Sequence, residues 1–215
     1  MSSILKVDEI QDTSGNNIIN ESSDTITIGA SGDTISIPSG ATIANSGTAT
    51  GFGIDGITVA DQWRLSADKA NVDTSNTIFD SNVERVDTSG QGTIGSAMSF
   101  ETGTGNFTFP TTGIYLVQGV VSYQKDSDRA YTGFKIQLTT NNSSYATICQ
   151  SFGSINVVSS SATYTNVVAS SLVDVTDTSN VKVRFSGSVP GAVTAVGSTS
   201  ENHTFFTFIR LGDTW

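Results

Sequence analysis

The chain has one cysteine, one histidine and three prolines in 215 residues. A lone Cys149 excludes an intrachain disulfide, and in "YATICQSF" it reads as a small apolar residue in or beside a strand. A lone His203, in "SENHT", leaves a catalytic triad or a histidine metal site without partners, so it reads as a turn or surface residue. Basic residues are scarce too. Ten Lys and Arg against twenty Asp and Glu give a net charge of −10, and so acidic a surface repels phosphate backbones; nucleic acid is not expected as a partner. No stretch is apolar enough to cross a membrane. The opening "MSSILKVDEIQD" lacks the basic and apolar regions of a signal peptide, which predicts a protein made in a cytoplasm and released by lysis. There is no G-x-S-x-G nucleophile elbow and no carboxylate pair that stands out as a glycosidase dyad, so no catalytic residues are expected. No apolar run has helical spacing.

What is present is glycine, serine, threonine and many short β-prone runs, a mixture that weakens helix and suits strands joined by turns. Residues 1–20 hold a strand signal from Ile4 to Ile10, a Ser-Gly-Asn-Asn turn and Ile18–Ile19, too little for a core of their own. Residues 21–52 repeat at about nine residues: "DTITIGASG", then "DTISIPSGA", then the decayed "TIANSGTAT". Ile26 and Ile28, then Ile35 and Ile37, alternate with Thr or Ser, giving each copy one apolar edge. Such a strand is unstable alone in water. The repeat therefore predicts either a β stalk whose isoleucines meet those of other chains, three chains about one axis, or a disordered Ser/Thr-rich linker. Residues 53–62 read as a Gly-rich hinge. The G-x-G-x-x-G spacing at Gly51, Gly53 and Gly56 lacks the strand before and helix after that a dinucleotide site needs.

Residues 63–215 carry strand signals at 63–66, 77–79, 83–87, 106–109, 113–124, 131–139, 145–152, 163–173, 180–186 and 204–211, separated by turn clusters. That spacing predicts an all-β sandwich or barrel. Two of the strands are apolar on both faces. Ile114, Leu116 and Val120 point one way and Tyr115, Val117, Val121 and Tyr123 the other; Phe205, Ile209 and Leu211 oppose Phe206 and Phe208. One face lines a core, and the second is expected to pack against another copy of the chain. Tyr115, Val117, Val121, Tyr123, Phe206 and Phe208, with the four isoleucines, are the expected interface of a homotrimer.

The run Phe100, Gly103, Gly105, Phe107, Pro110, Gly113, Tyr115 resembles the signature of the C1q/TNF-like jelly-roll family, and "TFFTFIRLG" (204–212) resembles its closing strand. The resemblance covers roughly residues 60–215 and implies a trimeric jelly-roll head. The front end, "ILKVDEIQDTSGNN" followed by "GDTISIPSGATIANSGTATGF", is similar to the opening of bacteriophage tail-fibre proteins, marine ones in particular. That resemblance implies a virion localisation, attachment to another virion protein through residues 1–20, and a trimeric β stalk.

Together these predict a structural virion fibre whose head contacts a host surface polysaccharide or outer-membrane receptor. Two alternatives stay open: a head, capsid or collar decoration fibre without a dedicated receptor, and a polysaccharide-degrading tail enzyme. With both termini of the head at its base, as the family implies, strict up-and-down alternation puts loops 125–130, 153–162 and 187–203 at the far tip. Loops on a rigid scaffold concentrate binding residues. The expected receptor-facing set is Lys125, Asp126, Asp128, Arg129, Asn156, Glu201, Asn202 and His203, with plain solvated turns as the alternative. "DSD" at 126–128 and "DVTD" at 174–177 offer calcium some oxygen ligands, below the density of a dedicated loop, so no metal or cofactor is expected.

Overall fold

Every regular element among the described residues is a β-strand, as a chain rich in Thr, Val, Ile and Phe and short of helix formers should give. The computed structural model describes residues 9–15, 17–23, 25–29, 31–42, 56–158 and 161–214. The chain divides into two units, Met1–Phe52 and Gly53–Trp215.

The first unit contains a three-stranded antiparallel meander, β1 (Glu9–Gln11), β2 (Asn17–Ser22) and β3 (Thr25–Ile28). Gly15, at a φ of 84°, closes the β1–β2 turn by donating its N–H to the Asp12 carbonyl. The sheet runs across the boundary expected at residue 20, because the first isoleucine copy pairs with the segment before it: Ile19 lies opposite Ile28 and Glu21 opposite Ile26. The second copy, with Ile35 and Ile37, forms no strand, having no neighbouring strand to pair with in the single chain. Ile26, Ile28, Ile35 and Ile37 are all exposed. Residues 43–50 of the third copy, Ile4 and both Gly51 and Gly53 lie outside the described residues.

The second unit is a sandwich of two antiparallel sheets. Its thirteen strands are β4 (Ala60–Leu65), β5 (Lys69–Val72), β6 (Thr77–Ile78), β7 (Val83–Arg85), β8 (Ser99–Glu101), β9 (Asn106–Thr108), β10 (Gly113–Lys125), β11 (Arg129–Thr139), β12 (Ala146–Ile155), β13 (Thr163–Val175), β14 (Lys182–Ser188), β15 (Val193–Ala195) and β16 (Phe205–Gly212). In the first sheet β10 pairs along its whole length with β13. Its other edge is shared by β16, which pairs residues 114–120, and β15, which pairs Tyr123 and Gln124. Beyond β16 come β4 and β7. The second sheet runs β12-β11-β14-β9-β8, with β6 also on β14.

The core between the sheets is aromatic. Phe185 and Phe206 stack at 4.1 Å between centroids and 9° between planes, and Phe134 stacks on both. Phe134 reaches this position because Gly119 stands opposite it in β10, where a Cβ would meet its Cζ at 2.5 Å. A strand glycine here marks close approach of the facing sheet. Gly119 shares its side of β10 with Tyr115, Val117, Val121 and Tyr123, so that side is the inner one. Both tyrosine hydroxyls are satisfied inside: Tyr115 donates to the Thr111 carbonyl at 3.0 Å, and Tyr123 to the Gly133 carbonyl at 2.9 Å. The expectation that Tyr115, Val117, Val121, Tyr123, Phe206 and Phe208 lie between copies is therefore overturned. All six are fully buried within one chain.

The hinge expected over 53–62 also ends early, since β4 begins at Ala60. Asp61 explains why. It is buried and accepts hydrogen bonds from the Gln62 and Met98 amides, the Trp63 indole and Arg85 Nε. Arg85 in turn lies 4.6 Å over the Trp63 ring. A buried carboxylate with this many donors is retained where one without partners would not be. Cys149 is half-buried and packs at the margin of the core.

This assignment yields a test of the inner face. Phe206→Asp should unfold the head of the single chain, costing more than about 4 kcal/mol, since a charge would sit unpaired among stacked rings. Near-ultraviolet circular dichroism reads the outcome; a folded, monomeric Phe206→Asp head would contradict the inner-face assignment.

Candidate functional site

Two surfaces of the head are candidates for contact. The first is the outward side of the sheet that contains β10. Alternation places Ile114, Leu116, Gln118 and Val120 there, and strand pairing extends each position into a row. Ile209, Leu116 and Leu172 form one row, and Phe205, Val120 and Val168 form another. Between them runs a polar row of Thr207, Gln118 and Ser170, continued by Gln62, whose Nε2 donates to Thr207 Oγ1 at 2.8 Å, and by Asn202, which donates to Gln62 Oε1 at 2.7 Å. Leu172 is 63% exposed, Leu211 56% and Val168 49%. A sheet face carrying this many uncovered aliphatic side chains marks an interaction surface. The doubly apolar strands thus do have a second apolar face, made by Leu116, Val120, Phe205 and Ile209 with Val168 and Leu172 of β13, the reverse of the expected side.

The second surface is the end of the sandwich at which β10 finishes. β11 and β13 start there and β12 and β14 end there, as their antiparallel registers require. Loops 126–128, 156–158 and 189–192 meet at this end. Asp128 Oδ1 accepts from the Val157 amide at 2.7 Å. Arg129 donates from Nε to the Gly191 carbonyl at 3.1 Å and from Nη1 to the Asp128 carbonyl at 2.7 Å. The Val189 amide donates to the Asp73 carbonyl, which adds the loop after β5 to the cluster. Lys125 and Asp126 line an open depression of about 360 Å³ with Gln124, Ala162 and Thr194. Lys125, Asp126, Asp128, Arg129 and Asn156 are thus brought to one end, Arg129 and Asp128 as braces between loops.

Glu201, Asn202 and His203 are not part of that end. They follow β15 down past Leu65, whose carbonyl accepts the Ser198 amide, and sit beside β4. Asn202 is tied to Gln62, and the segment that leads to it is pinned at Thr199 by Arg64. The Arg64 side chain is fully buried and donates to Glu84 and Asp87 carboxylates, to Thr88 Oγ1 and to the Thr199 carbonyl. His203 Nε2 lies 3.1 Å from Glu201 Oε2 in the same segment. Sequence reading treated 187–203 as one loop and missed β15 inside it. "VTA" has too little alternation to announce a strand, and nothing in the sequence around Arg64 marks it as a buried cation.

Asp177 and Asp80 are engaged by neighbouring protein groups. Asp177 accepts from the Ser179 amide and from Asn180 Nδ2, and these bonds hold its carboxyl below the usual range. For Asp80 burial acts in the opposite sense, but the hydrogen bond and charge of Lys69 outweigh it and the carboxyl is again lowered.

No family model and no curated protein matches the chain. Solved structures do. The TNF protein Eiger from S. frugiperda aligns over 73% of this chain and 94% of its own with a TM-score of 0.55 and 13% identity. Murine APRIL at pH 8.0 aligns over 71% of this chain and 98% of its own, with a TM-score of 0.49 and 12% identity. At such identities the likeness speaks for the fold alone. The likeness to Eiger, with the two sheets and the aromatic core described above, gives the head an all-β jelly-roll fold of the TNF type.

Proposed function

We propose that the chain is a homotrimeric bacteriophage fibre protein whose head contacts the host cell surface. The observation that carries the trimer is the outward face of β10, β13 and β16, too apolar to remain in water. Three copies meeting across it would cover Leu116, Val120, Val168 and Leu172 at once. The C1q/TNF-type fold supports such self-association. The exposed isoleucines 26, 28, 35 and 37 add a second apolar edge in need of covering, as a stalk of three chains would provide. Resemblance of residues 4–17 and 32–52 to phage fibres supports a virion location and attachment through residues 1–20 to another virion protein. The work is binding rather than catalysis.

Three outcomes follow. Leu116→Asp combined with Leu172→Asp should leave each head folded, because both side chains are at the surface of the single chain, yet raise the trimer's dissociation constant by at least about a hundredfold through unpaired charge at the interface. Light scattering that still shows a stable trimer would overturn this interface. A chain lacking residues 1–20 should trimerise but stay out of phage particles; normal incorporation, read by immunoblot of purified particles, would remove that role. Exchanging loops 126–128, 156–162 and 189–192 for unrelated turns should abolish adsorption to host cells while trimerisation is retained. Unchanged adsorption would remove the tip loops from host contact, and unchanged adsorption on deletion of the whole head would favour a decoration fibre.

A further inference from the structure

The remaining broad surface of the head is the outward side of β12, β11 and β14, on the sheet facing away from the proposed trimer contact. Pairing arranges it in rows: Phe152, Gly133 and Ser188; then Gln150, Lys135 and Ser186; then Thr147, Gln137 and Arg184; with Lys182 beside the last. Phe152 is 62% exposed and meets Tyr131 edge-on at 5.7 Å between centroids. Gly133 leaves the floor beneath it low, for a Cβ there would meet the Ser188 carbonyl at 2.7 Å.

The charge on this face runs against the rest of the molecule. Of ten cationic side chains in a chain of net charge −10, Arg64, Lys69, Arg85 and Arg210 are held in salt bridges with acids elsewhere. Lys135, Lys182 and Arg184 share this one face, where Lys135 donates to the neutral Asn76 and Arg184 to the neutral Gln137, Arg184 also stacking at 3.8 Å on the Tyr145 ring. Glu101 at the lower margin is the nearby acid; hydrogen bonds from Thr104 and Asn106, with Lys182 a smaller influence, lower its pKa. The Ser186 hydroxyl, opposite Lys135, is buried without a hydrogen-bond partner.

We propose that this face binds an acidic polysaccharide, its carboxylates or sulfates facing Lys135, Lys182 and Arg184, a sugar ring lying against Phe152, and Gln137 and Gln150 reading hydroxyls. An aromatic ring over a flat floor suits the apolar side of a pyranose. Separated cations on a ridge three strands wide, about 10 Å from first to last strand, suit a chain whose charges recur from sugar to sugar. A second acidic protein surface would leave Phe152 and the amides without matching groups. The inference deepens the reading of the head as a host-contacting module, and it names a side of the head rather than its tip.

Affinity electrophoresis of the full-length protein through gels containing alginate, with neutral dextran gels as reference, tests it without host or particle. Alginate should retard the native protein and dextran should not, and the retardation should weaken steeply with added salt as released counterions lose their advantage. Lys135→Ala with Lys182→Ala should weaken retention about tenfold or more, since two of three counterion-releasing contacts are gone. Phe152→Ala should weaken it at constant salt dependence, with trimer size unchanged in each case. Equal migration of the native protein in both gels would overturn the proposal, as would retention insensitive to the double variant but lost in Lys125→Ala. Loss of adsorption on tip-loop exchange, together with equal migration here, would sink this site and leave the fibre reading standing.

Discussion

Phe134 entering the space left by Gly119 decides which side of β10 is inside, and much of the head follows from that choice. Once Phe134, Phe185 and Phe206 stack there, Tyr115, Val117, Val121 and Tyr123 are committed to the core. Leu116, Gln118 and Val120 are then committed to the outside. β13 and β16, paired to β10 on either edge, inherit the same division. A shift of one residue in register would turn every side chain to the opposite face, so one glycine and one ring fix a surface that extends over three strands.

The fold was readable because the sandwich is written in spacing: ten strand signals were expected in the head, and each overlaps an observed strand or its immediate flank. Short strands such as β5 and β15 escaped, being held by neighbours rather than by their own alternation. The second apolar face was readable in the sequence, but not the side of the strands on which it lies. Strands apolar on both faces call for a cover on each, and the side that carries Tyr115, Val117, Val121 and Tyr123 proved to be the inner one. Gly119 and Gln118 held the missing information: a glycine belongs where another sheet approaches, and an amide where water or a partner can reach it. The candidate site was half legible. Chain direction in an antiparallel sheet brought Lys125, Asp128, Arg129 and Asn156 to one end, whereas Glu201, Asn202 and His203 follow a segment pinned at Thr199 by Arg64, a contact 135 residues away in sequence.

The distribution of charge separates structure from contact. Asp61 and Arg64 are buried and surrounded by partners, so their role is to pin β4 and the segment after β15. Breaking such a pair strands the other charge in a poor solvent, which makes these positions structural rather than adjustable. The tip braces are of the same kind at lower stakes. Cations left over from these duties are the ones with freedom to meet something outside the chain.

In the proposed trimer the polar row through Asn202, Gln62, Thr207, Gln118 and Ser170 would act as a vernier on the outward face. It lies between two aliphatic rows, one two residues above and one two residues below. Copies aligned on this face would set amide against amide. A slip of one row, about 7 Å along the strands, would press Gln118 of one copy against Leu116 or Val120 of the next and desolvate it without a partner. Grease alone would let the heads slide like cards in a deck; the band of amides gives the stack a single notch in which it can rest.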